Sequence, residues 1–112
     1  MLGRFQPWHD GHKQLFKKIL SKVGQVNIQI KDVQGIGDNP FRFSEIKKLI
    51  NKSLKNYKNR FMVTLAPNIT NIFYGRKVGY KINKITLSKS IQKISATSIR
   101  KSLRDEGRLK KI

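Results

Sequence analysis

The sequence is short of three things, and each shortage closes off a chemistry. It contains no cysteine, which excludes a disulfide framework and a thiolate metal site; the absence fits a reducing compartment, and a cytoplasmic location is the expectation. It contains only six acidic residues, Asp10, Asp32, Asp38, Glu45, Asp105 and Glu106, so no site built on two or three converging carboxylates is expected. It has no apolar run approaching the roughly 20 residues of a membrane span. Arg4, His9 and Asp10 also interrupt the apolar stretch that a signal peptide would need at the start. Histidine is scarce as well, and both copies, His9 and His12, fall within the first twelve positions.

What the chain has in excess is positive charge. Its 25 lysines and arginines give a net charge of +19 over 112 residues. One reading is a polyanionic partner: nucleic acid, a nucleotide or a phosphorylated small molecule. The other is composition, since the chain is rich in Ile, Lys and Asn together and its lysines are scattered rather than clustered. Ile, Leu, Val and Phe are frequent enough to build a core and to argue against disorder. The length suits a single domain over residues 1–112.

Hydrophobic spacing organises the chain. Leu15, Phe16, Ile19, Leu20 and Val23 recur at helical intervals, which predicts a helix over 11–22 ended by Gly24. The segment 25–31 alternates Val26, Ile28 and Ile30 with polar residues, a strand with one buried face. Gly, Asp, Asn and Pro make 32–41 a loop. Ser44 and Glu45 open a second helix to about residue 57, with Ile46, Leu49, Ile50 and Leu54 as its buried stripe. A strand follows over 60–66, stopped by Pro67. A short strand is expected near 71–74, a turn or short helical piece between Gly75 and Gly79, a last strand over 84–87, and a helix over 95–103 capped by Ser95 or Thr97. Strands alternating with helices predict an α/β fold with a parallel, Rossmann-like sheet. A sheet whose first helix begins at residue 11 requires an earlier strand, yet Met1 and Leu2 are all that precede Gly3. That strand is therefore largely missing. It is expected to be central, with neighbours on both sides and helices on both faces, and to continue upstream into apolar, β-branched residues.

The stretch "GRFQPWHDGH", residues 3–12, carries the chemistry. Proline fixes the turn at Gln6-Pro7, and Gly11 permits a tight entry into the helix. His12 falls in the first helical turn, where free backbone N–H groups and the helix dipole favour anions, and His9 lies on the loop just before it. Two imidazoles and a helix N-terminus thus converge on a point suited to a triphosphate. The alternative, a pair of surface histidines without a role, stays open on this pattern alone. Trp8 reads as a packing residue under the loop, and Asp10 as a surface acid. Arg76 and Lys77 lie between two glycines and could line a ligand site or simply form a basic turn. The Gly35-to-Gly37 pair is no dinucleotide fingerprint, because Pro40 stands where a third glycine belongs.

This stretch resembles the phosphate-binding motif of the nucleotidyltransferase superfamily, which includes nicotinamide mononucleotide adenylyltransferases and cytidylyltransferases. That family's second signature, ISxTxxR, is matched by "ISATSIR", Ile94 to Arg100. "NPF", residues 39–41, looks like the adenylyltransferase branch. "PNITNIFYGRKVGYKI" with "KISATSIRKSL" is similar to the nucleotidyltransferase-like domain at the N-terminus of some adenylylsulfate kinases, although no kinase phosphate loop GxxxxGK[ST] occurs here. The resemblance implies transfer of a nucleoside monophosphate from ATP or CTP to an anionic or phosphate-bearing small acceptor, with release of pyrophosphate and with Mg²⁺ brought by the nucleotide. It implies catalytic roles for His9, His12 and Arg100, and nucleotide contacts from Gly3, Arg4, Phe5, Gly11, Arg76, Ser95 and Thr97, with no metal ligand in the chain. In it Ser95, Thr97 and Arg100 hold the β- and γ-phosphates. A basic nucleic-acid-binding module, or an inactive truncated relative, are the competing readings; neither involves a membrane. The acceptor, the choice of base and the oligomeric state are not written in the residues.

Overall fold

A computed structural model describes residues 1–33, 35, 37–73, 75–76, 79 and 81–109. Chain order gives β1 (Leu2–Gly3), α1 (Asp10–Lys22), β2 (Val26–Lys31), α2 (Phe43–Ser53), a 3₁₀ turn at Lys55–Tyr57, β3 (Phe61–Ala66), α3 (Lys89–Gln92) and α4 (Ala96–Asp105). The strands form one parallel sheet in the order β1-β2-β3. This is a Rossmann-like α/β arrangement, as the alternation of periods implies.

Register explains where the core lies. Val26, Ile28 and Ile30 pair with Phe61, Val63 and Leu65, so these residues share one face of the sheet. Phe16 and Leu20 of α1, Ile46 and Ile50 of α2, and Leu54 just beyond its end join Val26, Ile28 and Ile30 in a single buried cluster. Two successive right-handed crossovers that step the same way across a sheet place both helices on the same face. The opposite face of β2 is polar. Asn27 Nδ2 donates to Thr64 Oγ1 at 3.1 Å, and Gln29 Nε2 donates to Asn27 Oδ1 at 2.8 Å. α2 opens with the Arg42 backbone N–H donating to Glu45 Oε1 at 3.2 Å, which satisfies one otherwise orphaned donor.

Three expectations change. Among the described residues β1 sits at the sheet edge, bonded to β2 alone, and α1 and α2 cover one face; it is not central. Residues 71–73 and 84–87 form no strand, while Tyr74 lies outside the described residues. The β1 edge, two residues long, offers a ladder too short to repay the ordering of another segment; among the described residues the six-residue β3 also has a free edge, and neither segment pairs with it. The third change is α3, a four-residue helix at Lys89–Gln92 that hydrophobic periodicity is too coarse to reveal. Gly75 is a bend, and Lys77 and Val78 lie outside the described residues.

Candidate active site

The spacing of His9 and His12 is that of a helix N-cap and its third helical residue. His9 has extended backbone angles (φ −141°, ψ −179°) and caps α1. Its Nδ1 accepts the Gly11 backbone N–H at 3.0 Å, and His12 Nδ1 accepts the His9 backbone N–H at 3.1 Å. This is a reciprocal capping box with imidazoles in place of the usual hydroxyl and carboxylate. A neutral imidazole has one acceptor nitrogen and one donor. Because both Nδ1 atoms accept, both protons are on Nε2, and each ring has an N–H available beyond the helix cap.

The two rings are stacked, with centroids 3.8 Å apart. Phe5 meets His12 edge-on at 4.9 Å, and Trp8 lies 5.5 Å from it. This apolar bed sets the charge state. Burial pushes His12 down to about 3, with the neighbouring His9 adding to the shift. Burial also lowers His9, partly offset by Asp10. Both rings are therefore neutral hydrogen-bond donors near pH 7, not cations.

The other residues of the motif hold this pair in place. A Cβ on Gly11 would lie 2.7 Å from His9 Cε1, so only glycine lets the His9 ring fold back onto the helix N-terminus. A Cβ on Gly3 would lie 2.9 Å from the Phe5 ring. Phe5 is buried at φ 50°, and Trp8, 7% exposed, donates from Nε1 to Ser53 Oγ at 3.1 Å. Gly3, Phe5 and Trp8 thus support the loop from beneath. Arg4 is directed to Asn39 Oδ1 at 3.4 Å. Asp10 is exposed and accepts from Gln14 Nε2 at 3.4 Å. Beside His9 a cleft of about 490 Å³ opens between the start of α1 and the end of α2, with Lys13, Lys52 and Lys55 on its walls.

The second signature reaches the first from the other end of the chain. Ser95 caps α4, its Oγ accepting the Ser98 N–H at 3.1 Å and donating to Ser98 Oγ at 2.8 Å. Arg100 is only 4% exposed. One of its nitrogens donates to the Gln6 carbonyl at 2.7 Å; the other lies 3.3 Å from Thr97 Oγ1 and 3.4 Å from Asp38 Oδ1. Arg104 donates to the Gly37 carbonyl. The Ile91 carbonyl stands 3.8 Å from the Cβ position of Gly11, which brings α3 against the start of α1. The two signatures therefore meet, but at the Gln6 backbone. Ser95, Thr97 and Arg100 do not line the cleft beside His9. Arg76 is exposed on the 75–76 stretch. Among the described residues no group of three His, Cys, Asp or Glu side chains is placed to hold a metal ion, and no helix is long and apolar enough to cross a membrane.

Sequence reasoning passed over Gln6, which is 3% exposed. Its Nε2 donates to the Phe41 carbonyl at 3.0 Å and its Oε1 accepts the Phe41 N–H at 2.8 Å. One signal was available: a long amide between Phe5 and Pro7-Trp8, in a stretch that is otherwise apolar or charged, has to find partners if it is buried.

A protein named nicotinamide-nucleotide adenylyltransferase from Methanococcus aeolicus is 38% identical over 65 residues, which make up 56% of this chain and 38% of that protein. One of the same name from Methanococcus maripaludis is 27% identical over 132 aligned positions, covering 94% of this chain and 77% of the relative. That alignment is longer than the chain itself, so the relative contains residues with no counterpart here. Another, from Archaeoglobus fulgidus, is 36% identical over 59 residues, 51% of this chain and 34% of that protein. In two of these three alignments the chain spans little more than a third of the relative's length. No family model matches the chain, and no solved structure does. The chain is thus a homologue of archaeal proteins named nicotinamide-nucleotide adenylyltransferase, nucleotidyltransferases of the cytidylyltransferase-like superfamily.

Proposed function

We propose that this chain transfers an adenylyl group from ATP to a phosphate-bearing small molecule and releases pyrophosphate. The observation that carries the reading is the histidine capping box: two neutral imidazoles at a helix N-terminus, each with its Nε2–H left to donate. An acceptor phosphate arrives ionised. One of its oxygens forms a bond to the α-phosphorus, the bond from that phosphorus to the bridging oxygen breaks, and the electron pair leaves on pyrophosphate. No strong general base is needed. The demand on the protein is to hold the reactants in line and to stabilise the charge that gathers on the leaving oxygens.

Donors fixed in advance suit that demand. The Nε2–H groups, the positive end of the α1 dipole and the field of Lys13, Lys52 and Lys55 all favour the leaving anion. The depressed basicity of His9 and His12 keeps them donating without a change of charge state. Mg²⁺ enters as part of the nucleotide, its charge held by the triphosphate oxygens. ATP is favoured over CTP by the names of the relatives, and the nicotinamide nucleotide in those names is the first acceptor to test.

The test is pyrophosphate release with ATP or CTP, Mg²⁺ and nicotinamide mononucleotide, with the dinucleotide product identified by mass. Thermal-shift measurements with each nucleoside triphosphate identify the donor independently. No turnover and no stabilisation by any triphosphate would defeat the reading. Stabilisation by a single-stranded oligonucleotide in its place would move the function to nucleic-acid binding.

A further inference from the structure

The histidine pair sits where a loop, residues 4–9, with few backbone bonds of its own enters α1, yet its rings must be held to within a fraction of an ångström to act as donors. What holds the loop is Gln6. Its side-chain amide pairs both ways with the Phe41 backbone, at 3.0 and 2.8 Å, and its main-chain carbonyl takes the buried Arg100 guanidinium at 2.7 Å. Gln6 thus joins three segments far apart in sequence: the histidine loop, the turn before α2, and α4. Each of these bonds is largely shielded from water, where a hydrogen bond is strong and an unpaired group costly.

We propose that Gln6 is the positioning residue of the histidine pair, anchoring its loop to Phe41 through the side chain and to Arg100 through the carbonyl. This rests on the adenylyltransferase reading above. Gln6 touches no reacting atom. It fixes the start of the loop so that His9 can reach back to Gly11 and His12 to the His9 N–H.

Two variants of the full chain test this. Gln6→Met keeps the length and removes both amide bonds. Gln6→Glu places a carboxylate against the Phe41 carbonyl at neutral pH. When protonated, that carboxyl has one donor and one acceptor, the pattern of the lost amide. For Gln6→Met the expectation is a folded protein by circular dichroism, amide hydrogen exchange at Phe41 and Gly11 faster by about tenfold or more, and kcat lower by about tenfold or more with the KM for ATP nearly unchanged. For Gln6→Glu, kcat and exchange protection at Phe41, each taken relative to the parent protein at the same pH, should both recover as the pH falls from about 8 to about 5. Hydrogen exchange does not depend on turnover. If the parent protein proves inactive, exchange still decides whether Gln6 anchors the loop, and only the reaction assignment fails. A folded Gln6→Met with unchanged exchange at Gly11, or with unchanged kcat in an active protein, would overturn the proposal. So would a Gln6→Glu variant with no pH-dependent recovery.

Discussion

His12 Nδ1 accepts the backbone N–H of His9 at 3.1 Å, and the two rings stack with centroids 3.8 Å apart. One contact therefore ends a helix, fixes a tautomer and places a donor. The HxGH spacing is a structural necessity of the cap before it is a catalytic one: the N-cap and the third helical residue are three apart, and the glycine between them makes room for the first ring.

Replacing His12 separates the two roles. His12→Ala should lower pyrophosphate release by about 100-fold or more, the loss typical of removing one preorganised charge-stabilising donor. Its stability cost should be that of a lost cap, about 1 kcal/mol. A pyrophosphate assay alongside a thermal melt checks both, and full activity in the folded variant would remove His12 from the reaction.

The pH dependence has a defined sign. His12 is pushed down to about 3 in the folded chain, whereas an unfolded imidazole titrates near its ordinary value of 6.5. Between these values the unfolded state binds the proton and the folded state does not. The stabilisation is fully present above about pH 6.5 and is lost as pH falls toward about 3. The melting temperature should accordingly decline from pH 6.5 to 5, before carboxylates titrate, and His12→Gln should flatten that decline. A parent curve that is level over this window would mean that the ring is not shielded as described.

Gly11→Ala isolates the packing of the His9 ring. The new methyl would stand 2.7 Å from His9 Cε1 and turn the ring off the helix N-terminus. Alanine favours the helix over glycine by about 1 kcal/mol, which offsets part of the strain. Turnover should fall by about 100-fold, the effect of misplacing a catalytic group by about 1 Å, with only a small change in melting temperature. A large loss of stability with full specific activity in the folded fraction would contradict this.

Arg100→Lys should act through the fold. An ammonium cannot bond the Gln6 carbonyl and the Thr97 and Asp38 oxygens as the planar guanidinium does. A buried carbonyl left without its partner costs about 1–3 kcal/mol, which for a domain of this size lowers the melting temperature by about 5–15 °C. Affinity for ATP and for adenosine should weaken together. A loss confined to ATP, measured by calorimetry, would mean that Arg100 holds the phosphates directly.

Much of this was legible in the residues, and the legible part is local. Periods of 3.6 and 2 located α1, β2, α2, β3 and α4 to within a few positions, because each is set by side chains a few residues apart. HxGH marked the start of α1 for the same reason: the whole capping box lies within four residues. What the tertiary structure decided depends on partners distant along the chain. Arg100 finds the Gln6 carbonyl across 94 residues, a bond that no local pattern announces. Gln6 mattered only once Phe41, 35 residues on, was beside it. The segment 84–87 alternates like a strand, yet among the described residues it pairs with neither the two-residue β1 nor the free edge of β3, because pairing is not a local property. A sequence states what each residue can bond; which bond it makes is settled by the groups that folding brings near and leaves unpaired.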